Sequence, residues 1–202
     1  MNDVLFDNVI LVDFDGVCAY WEHSFSTWMF LNGYGKSKSG EYELCKKYNI
    51  SEKEADLLAK MFNESAGLAS LPPMRDSIKY IKKLHEDHGY VFHCISAILD
   101  IDASRIARWE NIHRLFGMTA FERLTLCGKS ENKDALLSQY DGSGCYWVED
   151  VAQNAEYGLK YGLKPLIMKQ HYNESYDNPL IPKVNNWKEI YEYITGDRLY
   201  PT

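Results

Sequence analysis

The sequence predicts an α/β fold in which helices cover both faces of a parallel sheet, with a small helical segment inserted after the first strand. Two observations support this prediction. Short apolar runs typical of buried strands alternate with segments whose apolar residues recur at helical spacing. The alternation is interrupted once, between residues 18 and 72, where no strand-like run occurs. Because parallel sheets bind ligands beyond the carboxyl ends of their strands, we expect the functional residues there.

Five segments have the pattern of strands. The first contains the run Val9-Ile10-Leu11-Val12, whose consecutive apolar and mostly β-branched residues are typical of a strand buried on both faces. With their flanking residues, the predicted strands are 8–13, 90–95, 123–127, 145–148 and 165–168.

Helical spacing is clearest in four segments outside the interruption. These segments are 75–88, 103–116, 151–161 and 187–194. Gly89, Gly117 and Gly162 follow the first three, and glycine is favoured directly after a helix. We therefore expect helices to alternate with the strands along the core.

Residues 18–72 contain three helical patterns, at 20–31, 41–48 and 51–65, joined by a glycine- and serine-rich loop. We expect this segment to form a cap over the strand ends, and residues 1–17 and 73–202 to form the core. The loop contains Gly35-Lys36-Ser37, which is similar to the end of a phosphate-binding P-loop. Phe30 occupies the position of the required earlier glycine and no strand precedes it, so we reject that interpretation.

Composition and charge limit the class of protein. The 202 residues suit one domain with a small insert, and the formal net charge of -7 argues against non-specific binding to nucleic acid or membrane surfaces. Five widely spaced cysteines without a C-x-x-C motif predict free, mostly buried thiols. The chain has no signal-peptide pattern and no membrane-length apolar stretch, so we expect a cytoplasmic protein that does not bind membranes, with a homodimer as one option.

Asp13 and Asp15 follow the first predicted strand directly. Side chains at positions i and i+2 of an extended segment point the same way, so the two carboxylates converge, and Gly16 allows a sharp turn beside them. Two like charges at the end of a buried strand are costly unless a cation lies close to them. The pair predicts a metal ion, a phosphorylated substrate or both. An EF-hand calcium loop is excluded, because apolar residues follow where further oxygen ligands are needed.

Three further strand ends carry polar residues. Ser96 and Ala97 follow the second strand, where a hydroxyl and backbone N–H groups can bind a phosphate oxygen. Lys129 and Lys133 both precede the fourth strand, and we prefer Lys133 because it opens a short helix that can direct it into the cleft. The pair Glu149-Asp150 ends the fourth strand and can complete an oxygen-rich magnesium site with Asp13.

This set of motifs resembles that of the haloacid dehalogenase-like (HAD) hydrolase superfamily, over essentially the whole chain. The resemblance implies a Rossmann-like HAD core with a helical cap, and its second aspartate is typical of phosphatases rather than dehalogenases. A closer likeness is to 5'(3')-deoxyribonucleotidases. It is carried by Asp-Phe-Asp-Gly-Val, by the segments 92–97, 149–154 and 171–173, and by the tail 184–190. Ile95 and Glu149 depart from the residues that those enzymes often have.

The resemblance also implies a mechanism and a cofactor. Asp13 is expected to attack phosphorus and form an aspartyl-phosphate, while Asp15 protonates the leaving oxygen and then activates water. Mg²⁺ is expected to bind to Asp13, the backbone carbonyl of Asp15 and Asp150. Lys133 is expected to offset charge on the phosphoryl group, and Ser96 to orient it.

The insert begins with aromatic residues that bear on the substrate. Trp21 and Phe25 lie nearest the aspartates and are candidates for stacking on a nucleobase, whereas we expect Trp28 and Phe30 to pack onto the core. We expect a small phosphorylated substrate, in particular a nucleotide. A sugar phosphate, a nucleic-acid terminal phosphate and a catalytically quiet HAD-like binding module remain alternatives.

Overall fold

The computed structural model describes residues 6–35, 40–98, 101–128, 133–198 and 200–201. Within these residues, six parallel strands form one sheet in the order β3-β2-β1-β4-β5-β6. The strands are β1 (Val9–Val12), β2 (Val91–Ser96), β3 (Phe121–Leu126), β4 (Tyr146–Glu149), β5 (Lys164–Met168) and β6 (Lys183–Val184). The predicted α/β class and the first five strands are confirmed, with ends shifted by one or two residues. The short strand β6 was not predicted, since two residues carry no periodicity.

Nine α-helices lie in the described part of the chain. They are α1 (Trp21–Leu31), α2 (Leu44–Tyr48), α3 (Glu52–Asn63), α4 (Ala66–Ala69), α5 (Ser77–His88), α6 (Asp102–Phe116), α7 (Lys133–Leu137), α8 (Ala152–Lys160) and α9 (Trp187–Thr195). The four predicted core helices correspond to α5, α6, α8 and α9. None of these helices has the length and apolar character needed to span a membrane.

Strand β1 contributes side chains to the hydrophobic core on both faces of the sheet. Ile10 and Val12 point to one face, where they join residues of α5, α6 and α9. Val9 and Leu11 point to the other, where they join Leu137 of α7 and neighbouring residues. This alternation is the period-two geometry of a strand, and the complete burial of all but Val9 follows from helices on both faces.

The sheet register brings three strand ends together. Val12 at the end of β1 is paired with Cys94 of β2 on one side and with Val148 of β4 on the other. The residues that follow these strands therefore meet at one edge of the sheet. This is the arrangement that the sequence predicts for the functional residues.

The helices α1 to α4 lie between β1 and α5, within the predicted insert. The start and end of this segment are adjacent, since the N–H of Tyr20 donates to the Pro72 carbonyl at 2.9 Å and that of Met74 to the Cys18 carbonyl at 2.8 Å. Its apolar residues, among them Met29 and Phe62, belong to the same core cluster as Ile10 and Val12 of β1. The division into core and cap stays a prediction.

Three details of the insert differ from expectation. The helix predicted over 41–48 begins only at Leu44. The helix predicted over 51–65 ends at Asn63, because the side chain of Ser65 accepts a hydrogen bond from the N–H of Gly67 and starts the separate helix α4. Phe30 does not pack onto the core, and 64% of it is exposed on the last turn of α1.

The predicted free thiols are confirmed, with four of the five cysteines buried and Cys45 partly exposed.

His93 on β2 makes stability sensitive to acid. It is 6% exposed, and its Nδ1 lies 2.9 Å from the Tyr140 hydroxyl. Burial and the nearby charge of Arg123 lower its pKa from 6.5 to about 4. The unfolded chain therefore binds a proton between pH 6.5 and 4 that the folded chain does not, so stability falls as the pH falls through that window.

We expect His93→Asn to remove this part of the pH dependence. A shift of this size corresponds to about 3 kcal/mol at most, and we expect about 1–2 kcal/mol because neighbouring polar groups screen the charge. Urea unfolding of both proteins at pH 7 and pH 4 measures the difference. An unchanged gap between wild type and variant at the two pH values would contradict the role of His93.

Candidate active site

The candidate site lies at the sheet edge where β1, β2 and β4 end. The backbone N–H of Asp13 continues the sheet pairing by donating to the Val148 carbonyl at 2.9 Å. Just after it, the N–H of Gly16 donates to the Ala19 carbonyl at 2.9 Å and closes a tight turn. The side chain of Asp13, which is 6% exposed, lies among polar groups from other elements.

Lys133 is the cation at the centre of the site. It is the first residue of α7, its side chain is 4% exposed, and its Nζ lies 3.1 Å from Asp13 Oδ1 and 2.8 Å from Glu149 Oε2. Burial alone would lower its pKa, but the two carboxylates outweigh burial and raise the pKa above its ordinary value. The structure thus places Lys133 as the sequence predicts, whereas Lys129 lies outside the described residues.

Three buried carboxylates surround this lysine. Asp13, Glu149 and Asp150 each offer an oxygen atom, and these atoms lie within 4.8 Å of one another. Burial, with Glu149 and Asp15 nearby, raises the pKa of Asp13 to about 7 against the opposing effect of Lys133. Burial and the neighbouring carboxylates raise the pKa of Asp150 as well. Three acids against one lysine leave the cluster about two positive charges short of balance, which is the charge of a divalent cation.

Hydrogen bonds fix the orientation of the acidic pair on β4. Glu149 Oε1 accepts from the N–H of Val151 at 3.0 Å, while its other oxygen binds Lys133. The Tyr172 hydroxyl donates to Asp150 Oδ2. Asn173 donates to the backbone carbonyl of Asp150 at 2.8 Å. The segment after β5 therefore holds Asp150, a role that the sequence did not predict for it beyond its place in the family resemblance.

Asp15 points to a different partner. Its Oδ2 accepts a hydrogen bond from the Nη2 of Arg108 at 2.6 Å, so its side chain does not belong to the acidic cluster. Arg108 lies on α6, is fully buried, and stacks over the ring of Phe14 with 4.3 Å between the guanidinium carbon and the ring centroid. The predicted role of the Asp15 backbone carbonyl at the metal stays a prediction.

Arg108 was not among the residues predicted from the sequence. One signal could have found it, because Arg108 is spaced by four and by seven residues from Ile112 and Leu115, which are buried on the same helix. A charged residue on the buried face of a helix needs a buried partner. The pattern gives no indication that this partner is Asp15, 93 positions away along the chain.

Ser96 ends β2 and Ala97 follows it, at the same edge of the sheet as Asp13 and Asp150. Ser96 is fully buried, and its hydroxyl has no hydrogen-bond partner within the described residues. The same is true of Asp15 Oδ1. Unsatisfied buried polar atoms are uncommon in proteins, and at a cleft they are available to a ligand. Ala97 is exposed next to them.

The structure separates the two aromatic candidates of the insert. Phe25 is 1% exposed and packed between Trp21, at 4.7 Å between ring centroids, and Trp28, at 6.0 Å. Neither face of Phe25 is free for a nucleobase, so its proposed stacking role loses support. Trp21 is partly exposed, and its indole N–H donates to Asn63 at 2.8 Å.

Tyr42 is an aromatic residue of the insert that the sequence analysis did not single out. Its ring centroid lies 4.8 Å from that of Tyr172, the residue bonded to Asp150. Burial of the hydroxyl and the charges of Asp150 and Glu149 raise the pKa of Tyr42, although 58% of the residue is exposed. Tyr42 thus lies against the tyrosine that binds Asp150 and leaves much of its own surface accessible.

Comparison with known proteins gives one relative by sequence. No family model matches the chain. An uncharacterized 32.4 kDa protein in the Gp30-rIII intergenic region of Enterobacteria phage T4 is 25% identical over 193 residues, which cover 90% of this chain and 67% of the phage protein.

Solved structures give the fold. A predicted phosphatase from Clostridium acetobutylicum has a TM-score of 0.62 at 15% identity, covering 94% of this chain and 98% of its own. A haloacid dehalogenase-like hydrolase from Bacteroides fragilis has 0.61 at 13%, covering 91% and 99%. D,D-heptose 1.7-bisphosphate phosphatase from B. bronchiseptica, complexed with magnesium and phosphate, has 0.58 at 11%, covering 95% and 99%. The chain therefore has the fold of HAD-like hydrolases.

A substitution at Gly16, which lies close to Asp150, tests the geometry of the site. A Cβ atom on Gly16 would lie 1.9 Å from Asp150 Oδ2, and the residue has a φ of +83°. We expect Gly16→Ala to lower the free energy of unfolding by about 3 kcal/mol, because it adds a clash to the backbone strain. Chemical denaturation measures this change.

Gly33 supplies the matched control. It has a φ of +86° and no atom within 4 Å of the added Cβ, so Gly33→Ala carries the strain alone. We expect it to cost about 1 kcal/mol. Equal losses in the two variants would show that Gly16 does not contact Asp150 as described.

Proposed function

We propose that the chain is a magnesium-dependent phosphomonoesterase that works through an aspartyl-phosphate on Asp13. The observation that carries the proposal is the bridge of Lys133 between Asp13 and Glu149, with Asp150 and Ser96 at the same sheet edge. Phosphoryl transfer needs such a set: a nucleophile, a cationic environment for the transferring oxygens and groups that orient them. The HAD-like fold and the order of the motifs along the chain support the same reaction.

The acidic cluster fits a magnesium ion. Its donors are carboxylate oxygens, which Mg²⁺ prefers, and its charge deficit equals that of a divalent cation. Asp13, Asp150 and the Asp15 carbonyl would hold the ion, with Glu149 either in direct contact or fixed by Lys133. When bound, the ion would offset negative charge on the phosphoryl oxygens and favour ionised Asp13.

In the first step, Asp13 acts as the nucleophile. A carboxylate oxygen of Asp13 forms a bond to phosphorus while the bond between phosphorus and the leaving oxygen breaks. Asp15 donates a proton to that oxygen, and the substrate leaves as an alcohol. Lys133 and the Ser96 hydroxyl bind phosphoryl oxygens, whose charge must be offset as the bonds change.

In the second step, water releases the phosphate. Asp15, now deprotonated, takes a proton from water as the water oxygen attacks phosphorus. The bond between phosphorus and Asp13 breaks, which restores the carboxylate and releases inorganic phosphate. Asp15 therefore has to reach both the leaving oxygen and the attacking water.

For the substrate, we favour a deoxynucleoside monophosphate. The support is the resemblance to 5'(3')-deoxyribonucleotidases and two accessible aromatic residues of the insert, Trp21 and Tyr42, of which Tyr42 lies against Tyr172. Stacking on a base is worth about 1–3 kcal/mol. Sugar phosphates are the second candidate. The burial of Phe25 removes part of the predicted stacking surface, and one structural neighbour is a heptose bisphosphate phosphatase.

Phosphate release from a panel of substrates tests the proposal. The panel contains ribo- and deoxyribonucleoside 5'- and 3'-monophosphates, sugar phosphates and a DNA oligonucleotide with a 3'-phosphate, each with Mg²⁺ and with EDTA. We expect magnesium-dependent release that is fastest with deoxynucleotides. We expect Asp13→Asn to lower it by about a thousandfold or more, because the amide cannot serve as the nucleophile.

The outcomes separate the alternatives. Release concentrated on sugar phosphates would keep the chemistry and reject the nucleotidase. Activity that survives in Asp13→Asn would reject Asp13 as the nucleophile. No release from folded wild-type protein would favour a catalytically quiet binding module.

Metal binding has a test that does not depend on activity. At a Mg²⁺ concentration about 100 times the Kd, binding stabilises the folded state by about 2.7 kcal/mol, or about 5–10 °C in Tm for a chain of this size. We expect this shift in wild type and its loss in Asp150→Asn. Asp141 is exposed and lies before β4, towards the opposite edge of the sheet, so Asp141→Asn is the matched control. A full shift in Asp150→Asn would contradict the assigned ligand.

A further inference from the structure

We infer that Arg108 is a positioning residue for the acid-base step of Asp15, an inference that rests on the proposed function. Arg108 is fully buried, and its Nη2 donates to Asp15 Oδ2 at 2.6 Å. The guanidinium carbon lies 4.3 Å from the ring centroid of Phe14, the residue between the two aspartates. It therefore contacts the segment that carries Asp13 and Asp15 at two points.

Arg108 is poorly satisfied as a purely structural residue. Its Nε and Nη1 have no hydrogen-bond partner within the described residues. A buried guanidinium is costly, and a structural arginine normally offsets this cost by filling its hydrogen-bonding positions. Here the contact with Asp15 is the only hydrogen bond that the described residues give it. This indicates that the role of Arg108 is to hold Asp15 in position.

The contact with Arg108 uses only one of the two carboxylate oxygens of Asp15. Oδ2 is held by Arg108, while Oδ1 has no protein partner in the described chain. Asp15 remains accessible, with 20% of its side chain exposed, while Arg108 has none. The arginine thus fixes Oδ2, and the buried Oδ1 keeps a hydrogen-bonding position that a bound leaving group can fill. One fixed oxygen is what proton donation to a leaving group requires.

Arg108 also keeps Asp15 apart from the other carboxylates. Asp13, Glu149 and Asp150 lie close to Lys133, whereas Asp15 forms its ion pair with a different cation, Arg108. Without Arg108, the negative charges of the other carboxylates would repel Asp15, and no ion pair would hold it in place. We therefore expect its loss to misplace Asp15 without removing Lys133 or the acidic cluster.

The leaving group provides the test. The variants are Arg108→Lys, which keeps the charge but not the planar fork, and Arg108→Gln, which keeps N–H donors without the charge. We compare kcat/KM for the alkyl phosphate that wild type hydrolyses fastest with kcat/KM for p-nitrophenyl phosphate, whose leaving group needs little protonation. We expect a loss of about a hundredfold with the alkyl phosphate and less than about threefold with the aryl phosphate.

Two controls separate positioning from a general structural effect. Arg114 lies on the same helix but donates to the Leu71 carbonyl at 2.6 Å rather than to Asp15, so Arg114→Lys should affect both substrates equally. In an Asp15→Asn background, the change at Arg108 should have no further effect, because the group that it positions is already absent. Thermal unfolding with Mg²⁺ verifies that each variant is folded.

The results distinguish the inference from the proposed function. Equal losses with the two substrates, no loss, or an additive loss in the Asp15→Asn background would each overturn the role of Arg108. If wild type releases phosphate from neither substrate, the proposed function fails and the inference fails with it. A leaving-group-dependent loss that disappears in the Asp15→Asn background supports the inference.

Discussion

The structure depends on the compensation of buried negative charge at one edge of the sheet. Asp13, Glu149 and Asp150 lie within a few ångströms of one another and are almost completely removed from solvent. Such an arrangement is stable only if cations share the space. Lys133 provides one positive charge and contacts two of the three acids. Burial, together with the neighbouring carboxylates, raises the pKa values of Asp13 and Asp150. The remaining charge deficit explains why a divalent ion fits.

The parallel sheet makes this concentration of charge possible. Parallel strands end at the same edge, so residues that are distant in sequence converge there without any long-range motif. The hydrophobic residues that precede Asp13 and Glu149 are buried on both faces of the sheet, which fixes the backbone at the strand ends. A rigid core and a charged edge are therefore two results of the same strand pattern.

Much of the fold can be predicted from local sequence, and so can the positions of Asp13, Lys133 and the pair Glu149-Asp150 in the site. An apolar run that ends in Asp-x-Asp specifies both a strand and the point where its acids emerge, and Glu149-Asp150 repeats the pattern. Lys133 could be placed because it opens a helix. The contacts of Arg108 and Tyr172 could not, since each reaches its partner across the chain and no local pattern encodes that pairing. The burial of Phe25 also depends on Phe62, which comes from another helix.

Helix α6 connects the insert to the chemistry. Asn111 and Arg114 donate to the Leu71 carbonyl, at 3.0 and 2.6 Å, where the insert returns to the core. One turn earlier, Arg108 holds Asp15. The position of the insert and the position of the proposed acid-base group are thus set by neighbouring residues of one helix. Any movement of α6 relative to β1 would act on both, so the rigidity of this helix against the sheet is a requirement of the site and not only of the fold.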